Sequence, residues 1–492
     1  MSNRAAANPY LEGAHAPLSA EYTLTELEVS GTIPDHLDGR YLRNGPNPIG
    51  EIDPELYHWF VGDGMVHGIR LRDGRAEWYR NRWVRGPQAA RLLGAPAPRA
   101  PRAPRGHRGV ASVGANTNVI GHAGKTLALI EAGVTNYELT EELDTVGACD
   151  FDGTLTGGYT AHPKRDPETG ELHAISYQVM GRNTVQYSVI GVDGRARRTV
   201  DIEVTGCPMM HDFSLTERYV VIYDLPVTFD VRRAVETSVP RGLRMPARLV
   251  LSALLGRIRI PDPIAARKPD TSVSDHSFPY SWNPRYPARV GVMPRDGGNA
   301  DVRWFDVEPC YVFHPMNAYD SPIDDTVVLD VVRHPKMFAT EFHGPNEGPP
   351  TLDRWTIDLA DRKVRETRID DRGQEFPRVD ERLVGKRHRY GYAPQVTGGA
   401  EASDVLLKHD FLGQGSASRA FGAGKVVGEF VFAPSSADAA EDDGVLMGYV
   451  YDRATDRSEL AILDAATLED VARVKLPHRV PAGFHGNWVP AG

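Results

Sequence analysis

The chain has 492 residues, 41 % of them hydrophobic and 25 % charged, an ordinary globular balance that excludes a disordered chain, a coiled coil and a polytopic membrane protein. A formal net charge of −10 argues against a nucleic-acid scaffold, whose footprint is a basic surface. With 48 glycines and 37 prolines the chain is rich in turns and poor in long helices, and its three cysteines, Cys149, Cys207 and Cys310, form no CxxC pair or disulfide framework, which fits a reducing cytoplasm.

Residues 1–20 read as a loose N-terminal arm with no apolar segment of signal-peptide length, and residues 21–492 as a single domain without a convincing linker. A Pro/Arg-rich stretch from Gly86 to Gly109 is expected to be irregular. Beyond it, short β-rich runs recur about Asp/Gly turns. Val185–Val204, Arg354–Ile369 and Gly448–Leu476 each carry this hairpin signature. Hairpins along the whole chain predict an all-β closed array, a propeller or a large barrel, since both hide most strand edges. The repeats are too divergent for blades to be counted.

Residues 231–270 form a basic insertion, with nine Lys/Arg against three Asp/Glu. A helix from Arg241 to Ile260 would place Leu243, Ala247, Val250, Leu251, Leu254 and Ile258 on one face, and Arg241, Arg244, Arg248 and Arg259 on the other. Such a helix can lie in a membrane interface, giving peripheral contact on the inner membrane surface; the alternative is a surface helix packed on the protein body. No run reaches the 18 or so apolar residues of a spanning helix. Pro434 to Gly444 reads as a small-residue acidic loop.

Of 17 histidines, four stand out by context. His162, His211, His314 and His485 each lie among apolar or small residues at the end of a β-like run, where an unpaired imidazole would be costly. His485 is seven residues from the C-terminus, in an aromatic segment that suggests a tucked-in tail. The four form no local motif such as HExxH, but the inner strands of propeller blades converge on one axis, where one histidine per blade can ring a metal. There is no GxSxG motif.

Longer motifs carry a resemblance. Gly39–Pro48 (GRYLRNGPNP), Trp59–His67 (WFVGDGMVH), Met210–Phe213 (MHDF), Phe313–Tyr319 (FHPMNAY), Glu375–Asp380 (EFPRVD), Arg387–Tyr392 (RHRYGY) and Phe484–Gly486 (FHG) occur in an order that resembles the carotenoid cleavage oxygenases from about residue 20 to the end. The resemblance implies a seven-bladed β-propeller carrying one non-haem Fe(II) on His162, His211, His314 and His485, with Glu131, Glu375 and Glu429 behind the histidines. Neutral imidazole suits Fe(II), and each ring's second N–H needs an acceptor that fixes its tautomer. His58, His67, His122, His276 and His388 are expected to be structural or to line a channel, and Asp63 to be a turn residue.

The resemblance further implies cleavage of a C=C bond by O2 into two carbonyl products, with no organic cofactor, 2-oxoglutarate or external reductant. The substrate is expected in an apolar tunnel, for which Phe278, Tyr280, Trp282, Phe313 and Trp488 are candidates. Stilbene-cleaving members generally carry a lysine just before the first glutamate, where this chain has Ile130. That and the basic insertion favour a carotenoid or apocarotenoid over a stilbene or phenylpropene. No nucleic acid or obligate protein partner is expected. The competing readings are a propeller scaffold with a structural metal, and a Ca²⁺-dependent propeller hydrolase, which would need carboxylates rather than histidines on the axis.

Overall fold

The structure, a computed structural model, describes residues 8–96, 98–99, 114–178, 183–254, 278–321, 323–397, 402–413 and 415–491. Among these residues the strands form seven antiparallel blade sheets and one two-stranded ribbon. Four successive four-stranded blades take residues 118–149, 164–203, 213–306 and 311–370. A three-stranded blade spans 390–420, and the last two blades are built on residues 425–475 and 39–83. This is the seven-bladed propeller expected from the resemblance. The hairpins Val185–Val204 and Arg354–Ile369 are each adjacent strands of one blade.

Both chain ends close the ring. Glu28–Gly31 pairs with Asp470–Lys475, and Gly486–Pro490 pairs with Gly39–Pro46, setting Tyr41 opposite Trp488. Gly39 lies where a Cβ would meet the Trp488 ring and the Val489 carbonyl, so the C-terminal strand can approach only a glycine there.

Burial follows strand position. Tyr219–Asp224 (YVVIYD) is apolar on both faces because neighbouring blades pack against each side, whereas the outer strand Ala196–Glu203 buries only Ile202. The largest core cluster joins Val220, Ile222 and Val290 of one blade to Val327, Leu329 and Val331 of the next. Blade-to-blade packing of β-branched residues thus fixes the inner strands and whatever they present to the axis.

The arm expected to be loose is docked over residues 8–18. Asn8 donates from its amide to the carbonyls of Pro54 and Tyr57, and Tyr10 stacks on Trp59 with ring centroids 5.4 Å apart. Burying the Tyr10 and Trp59 rings and satisfying the Asn8 amide offsets the entropy of ordering the arm.

The stretch expected to be irregular holds a short helix, Pro87–Leu92, while residues 100–113 lie outside the described residues. The basic insertion starts with a helix, Val231–Ser238, whose N-terminal amides at Arg232 and Arg233 donate to Asp230. A second helix, Arg244–Leu254, follows. Its apolar residues do not pack on the body as a continuous face: Met245, Leu249 and Val250, with Leu243 just before the helix, are 56–70 % exposed. Residues 255–277, with Ile258, Arg259 and His276, lie outside the described residues. Among the described residues no helix is long and apolar enough to cross a membrane.

Candidate metal centre

Four blades deliver one histidine each. One residue separates His162 from the strand Lys164–Arg165 and His211 from Phe213–Leu215, and His485 directly precedes Gly486–Pro490. His314 lies inside the long strand Tyr311–Ser321, where pairing slips from Val312 opposite Arg333 to Pro315 opposite Val331. The irregularity interrupts the ladder and re-aims the side chain, as bulges do beside functional sites.

One ring nitrogen from each histidine falls in a group whose members all lie within 4.8 Å of one another, and all four residues are buried. Ring centroids of His162 stand 4.3 Å from His211 and 4.5 Å from His485; those of His314 and His485 are 4.7 Å apart. Four imidazoles from residues up to 323 apart in sequence therefore meet at one point on the axis.

Three glutamates set the rings' aim. His211 donates from Nδ1 to Glu131 (2.9 Å), His314 to Glu375 (2.5 Å) and His485 to Glu429 (2.9 Å). Each carboxylate accepts, so Nδ1 carries the hydrogen and Nε2 is left as a lone pair. Glu131 follows the strand Lys125–Leu129, Glu375 follows the loop after Lys363–Asp370, and Glu429 lies between the strands Lys425–Val427 and Val431–Pro434. Each comes from the blade next to that of its histidine or one blade further on.

The electrostatics favour neutral rings at His162, His314 and His485 over a negative outer layer. Burial, reinforced by His211, His485 and His314, holds the His162 imidazole well below its ordinary value. Burial likewise brings His314 down to about 4 despite Glu375. At His211 burial works downward, but the Glu131 charge and hydrogen bond, with Asp212 and Glu375, carry the group above its usual value. Burial opposes ionisation of Glu375, yet His314 and His334 hold its carboxyl far below the usual range. Glu429 is held low in the same way, by Arg378, His485 and the Gly486 amide.

This donor set fits a divalent transition metal. Nε2 of His211 faces Nε2 of His314 at 3.2 Å, and with both Nδ1 atoms turned to carboxylates the two Nε2 atoms must share a cation, a proton on His211 in the metal-free protein or a metal ion in its place. Nε2 of His162 is also buried without a hydrogen-bond partner. An all-imidazole set suits Fe, Zn or Cu, not the oxygen-seeking Ca²⁺ or Mg²⁺, so the calcium-hydrolase reading is not supported.

An apolar cavity of about 300 Å³ opens onto His211, His314 and His485. Phe278, Tyr280 and Phe313, three of the tunnel candidates, line it, as do Phe60, Phe376 and Phe484. The ring of Phe313 meets His211 edge-on at 5.2 Å, and Phe376 lies 5.3 Å from His314. Ile130 also borders it, beside Glu131. Trp282 and Trp488 are not brought to this cavity. Trp282 pairs with Val227 in the ribbon and packs into the core, and Trp488 lines a separate polar cavity on the Gly486–Pro490 strand. Short strands leave the facing of alternate residues undetermined by sequence, so the sequence alone does not decide which cavity these two indoles border.

Several participants escape sequence reading. His334 donates from Nε2 to the second oxygen of Glu375 (2.9 Å), so that carboxylate is shared between two imidazoles. Arg378 stands 3.5 Å from Glu429, and Asp212 lies 3.7 Å from Nδ1 of His162 while pairing with Lys164 at 2.8 Å. Asp212 and Arg378 do occur inside the MHDF and EFPRVD motifs, which was the available signal; nothing in the sequence around His334 marks it. His58 stacks on Phe278, His67 bonds Tyr79, and His388 lies near Asp330; none belongs to the four-histidine group.

The chain matches the family described as Retinal pigment epithelial membrane protein over residues 15–490. It is 59 % identical to the carotenoid cleavage oxygenase of Mycobacterium tuberculosis over 98 % of both chains. It is 30 % identical to the isoeugenol monooxygenase of Pseudomonas nitroreducens, again over 98 % of both. Among solved structures it superposes on the lignostilbene dioxygenase of Pseudomonas brassicacearum with a TM-score of 0.79, 28 % identity and 98 % coverage of each chain. The cobalt-substituted apocarotenoid oxygenase of Synechocystis gives a TM-score of 0.77 at 26 % identity, covering 96 % of this chain and 97 % of that one. The propeller, the four-histidine point and these matches together show that the chain belongs to the carotenoid cleavage oxygenase family.

Proposed function

We propose that the protein binds one Fe(II) through His162, His211, His314 and His485 and uses O2 to cleave a C=C bond of a carotenoid or apocarotenoid into two carbonyl products. The observation that carries this reading is the convergence of four imidazoles, three of them aimed by carboxylates, at the wall of an apolar cavity. The overall change balances without a reductant: both atoms of O2 end in the two C=O groups, and the C=C bond supplies the electrons.

Bound iron would supply the one-electron access to O2 that a closed-shell alkene lacks. The protein's own groups do the rest. Glu131, Glu375 and Glu429 keep the hydrogens of three rings on Nδ1 and so hold the Nε2 lone pairs inward. Phe60, Phe313, Phe376 and Phe484 exclude water from the side facing the cavity and grip a flat conjugated chain by contact. Their ring faces also favour any positive charge that develops along it.

Ile130 supports the polyene over the phenolic reading. It is buried beside Glu131, and among the described residues no lysine lines the cavity there to hold a phenolate. The exposed Leu243, Met245, Leu249 and Val250 support peripheral membrane contact through residues 241–260, where a carotenoid would be taken up.

The test is turnover under ¹⁸O2 of an apocarotenal and, separately, a hydroxystilbene by the iron-loaded protein. Labelled aldehydes from the apocarotenal support the proposal. Turnover of the stilbene alone would keep the chemistry and overturn the substrate class, and absence of both activities would overturn the reading.

A further inference from the structure

The four histidines stand between two cavities, one apolar and one far richer in charged groups. The apolar one, of about 300 Å³, reaches His211, His314 and His485. A larger one of about 990 Å³ reaches His162, His314 and His485 and mixes ten charged Lys, Arg, Asp and Glu side chains with aliphatic ones. His314, His485 and Glu429 border both, so the metal centre is the partition between them.

We propose that the polar cavity is the passage by which a hydrated divalent cation reaches the four histidines, separate from the cavity that admits the alkene. This rests on the four-histidine point being a metal centre. A cation crossing the apolar cavity would shed its water among Phe60, Phe278 and Phe313, with nothing to replace it. The polar cavity offers water room and oxygen atoms down to the buried carboxylate of Asp212, 3.7 Å from His162.

Its cationic side chains do not bar the way, because each is engaged. Arg40 donates to the Glu141 carbonyl and to Thr126, Lys125 lies 3.2 Å from Glu138, and Lys164 lies 2.8 Å from Asp212. Arg165 donates to the Gly121 carbonyl, and Arg378 to Glu381 and Asn487. Arg40 and Arg165 are held by neutral acceptors, but across the lining the five cationic side chains are matched by five carboxylates, Glu138, Glu141, Asp212, Glu381 and Glu429. Nε2 of His162, buried and without a partner, belongs to a residue that lines this cavity and not the apolar one.

The experiment plugs one cavity at a time and follows Co²⁺ uptake by the metal-free full chain from its absorption in the visible. Ile120→Cys places a thiol on the half-buried wall of the polar cavity, where a bulky methanethiosulfonate can be attached and later removed with a reductant. Thr140→Cys, also on that wall, serves as a second site, and the native chain treated with the same reagent accounts for Cys149, Cys207 and Cys310. The attached group is expected to slow Co²⁺ uptake by roughly tenfold or more, with recovery on its removal. A long-chain alkyl detergent seated in the apolar cavity is expected to leave uptake unchanged. Uptake that is indifferent to the plug at both sites, or that the detergent slows as strongly, would overturn the proposed passage. A native chain that takes up no Co²⁺ would instead overturn the metal centre itself.

Discussion

His485 donates from Nδ1 to Oε1 of Glu429 across 2.9 Å, tying a residue near the C-terminus to the strand junction of the preceding blade. The other oxygen of Glu429 accepts from the Gly486 amide at 2.7 Å, so one carboxylate fixes both the ring and the backbone that carries it. Ring closure and metal binding are therefore coupled at this one residue.

Glu429→Gln keeps the shape and removes the charge. Its amide can still accept from His485, but it no longer offsets the positive charge of a bound cation. Metal affinity is expected to fall by about 10–100-fold, the usual effect of losing such a partner, with the fold retained. Chelator competition on purified variant and native protein measures this directly, and equal affinities would contradict it.

His485→Ala and His334→Ala separate the two kinds of imidazole. The first removes a donor from the four-histidine point and is expected to abolish stable metal retention through gel filtration. The second leaves all four donors and removes only the second hydrogen bond to Glu375, so the metal is expected to remain, bound more weakly. Retention of full metal by His485→Ala would remove that residue from the site.

How much of this was legible in the sequence depended on whether a residue's role is local. The four histidines could be singled out because each sits in an apolar run that must be buried, and the hairpins fixed the all-β class. Glu131, Glu375 and Glu429 carried no such mark as strand-end acids and were reached only through the family resemblance. The partner of His334 follows from cross-strand register, Tyr311 opposite His334, which brings it beneath Glu375 and has no trace along the chain. Seven blades could not be counted because the repeats share strand pattern but little sequence, and the docked arm depends on a groove formed by residues far from it.

Ile130→Lys tests the substrate class. The new ammonium would stand beside Glu131 at the edge of the apolar cavity, where it can hold a phenolate but must be desolvated to meet a polyene. The ratio of apocarotenal to hydroxystilbene kcat/KM is expected to fall by about tenfold or more. An unchanged ratio would show that this position does not select the substrate.

Leu249→Ser with Val250→Ser tests the membrane contact. Both side chains are more than half exposed, so melting temperature should stay within a degree or two of the native value. Flotation with anionic vesicles is expected to recover much less of the double variant than of the native protein. Equal recovery would contradict an interfacial role for the helix Arg244–Leu254.

Acid should destabilise the metal-free protein through histidines outside the centre. Burial holds His173, His388 and His409 down to about 4 each. In the unfolded chain they protonate near pH 6.5, so the unfolded state takes up protons first as pH falls. The stability is present in full above about 6.5 and is lost progressively toward pH 4, by up to about 1.4 kcal/mol per group for each pH unit. Urea midpoints at pH 7, 6 and 5 should fall in that order, and a midpoint unchanged from pH 7 to 5 would contradict the assignment.

The most direct measurement is iron-edge X-ray absorption on the protein loaded anaerobically with Fe(II), together with its metal content. About one iron per chain with a first shell dominated by imidazole nitrogen is the predicted result. A shell of carboxylate oxygens, or iron that washes out while the four histidines are intact, would contradict it.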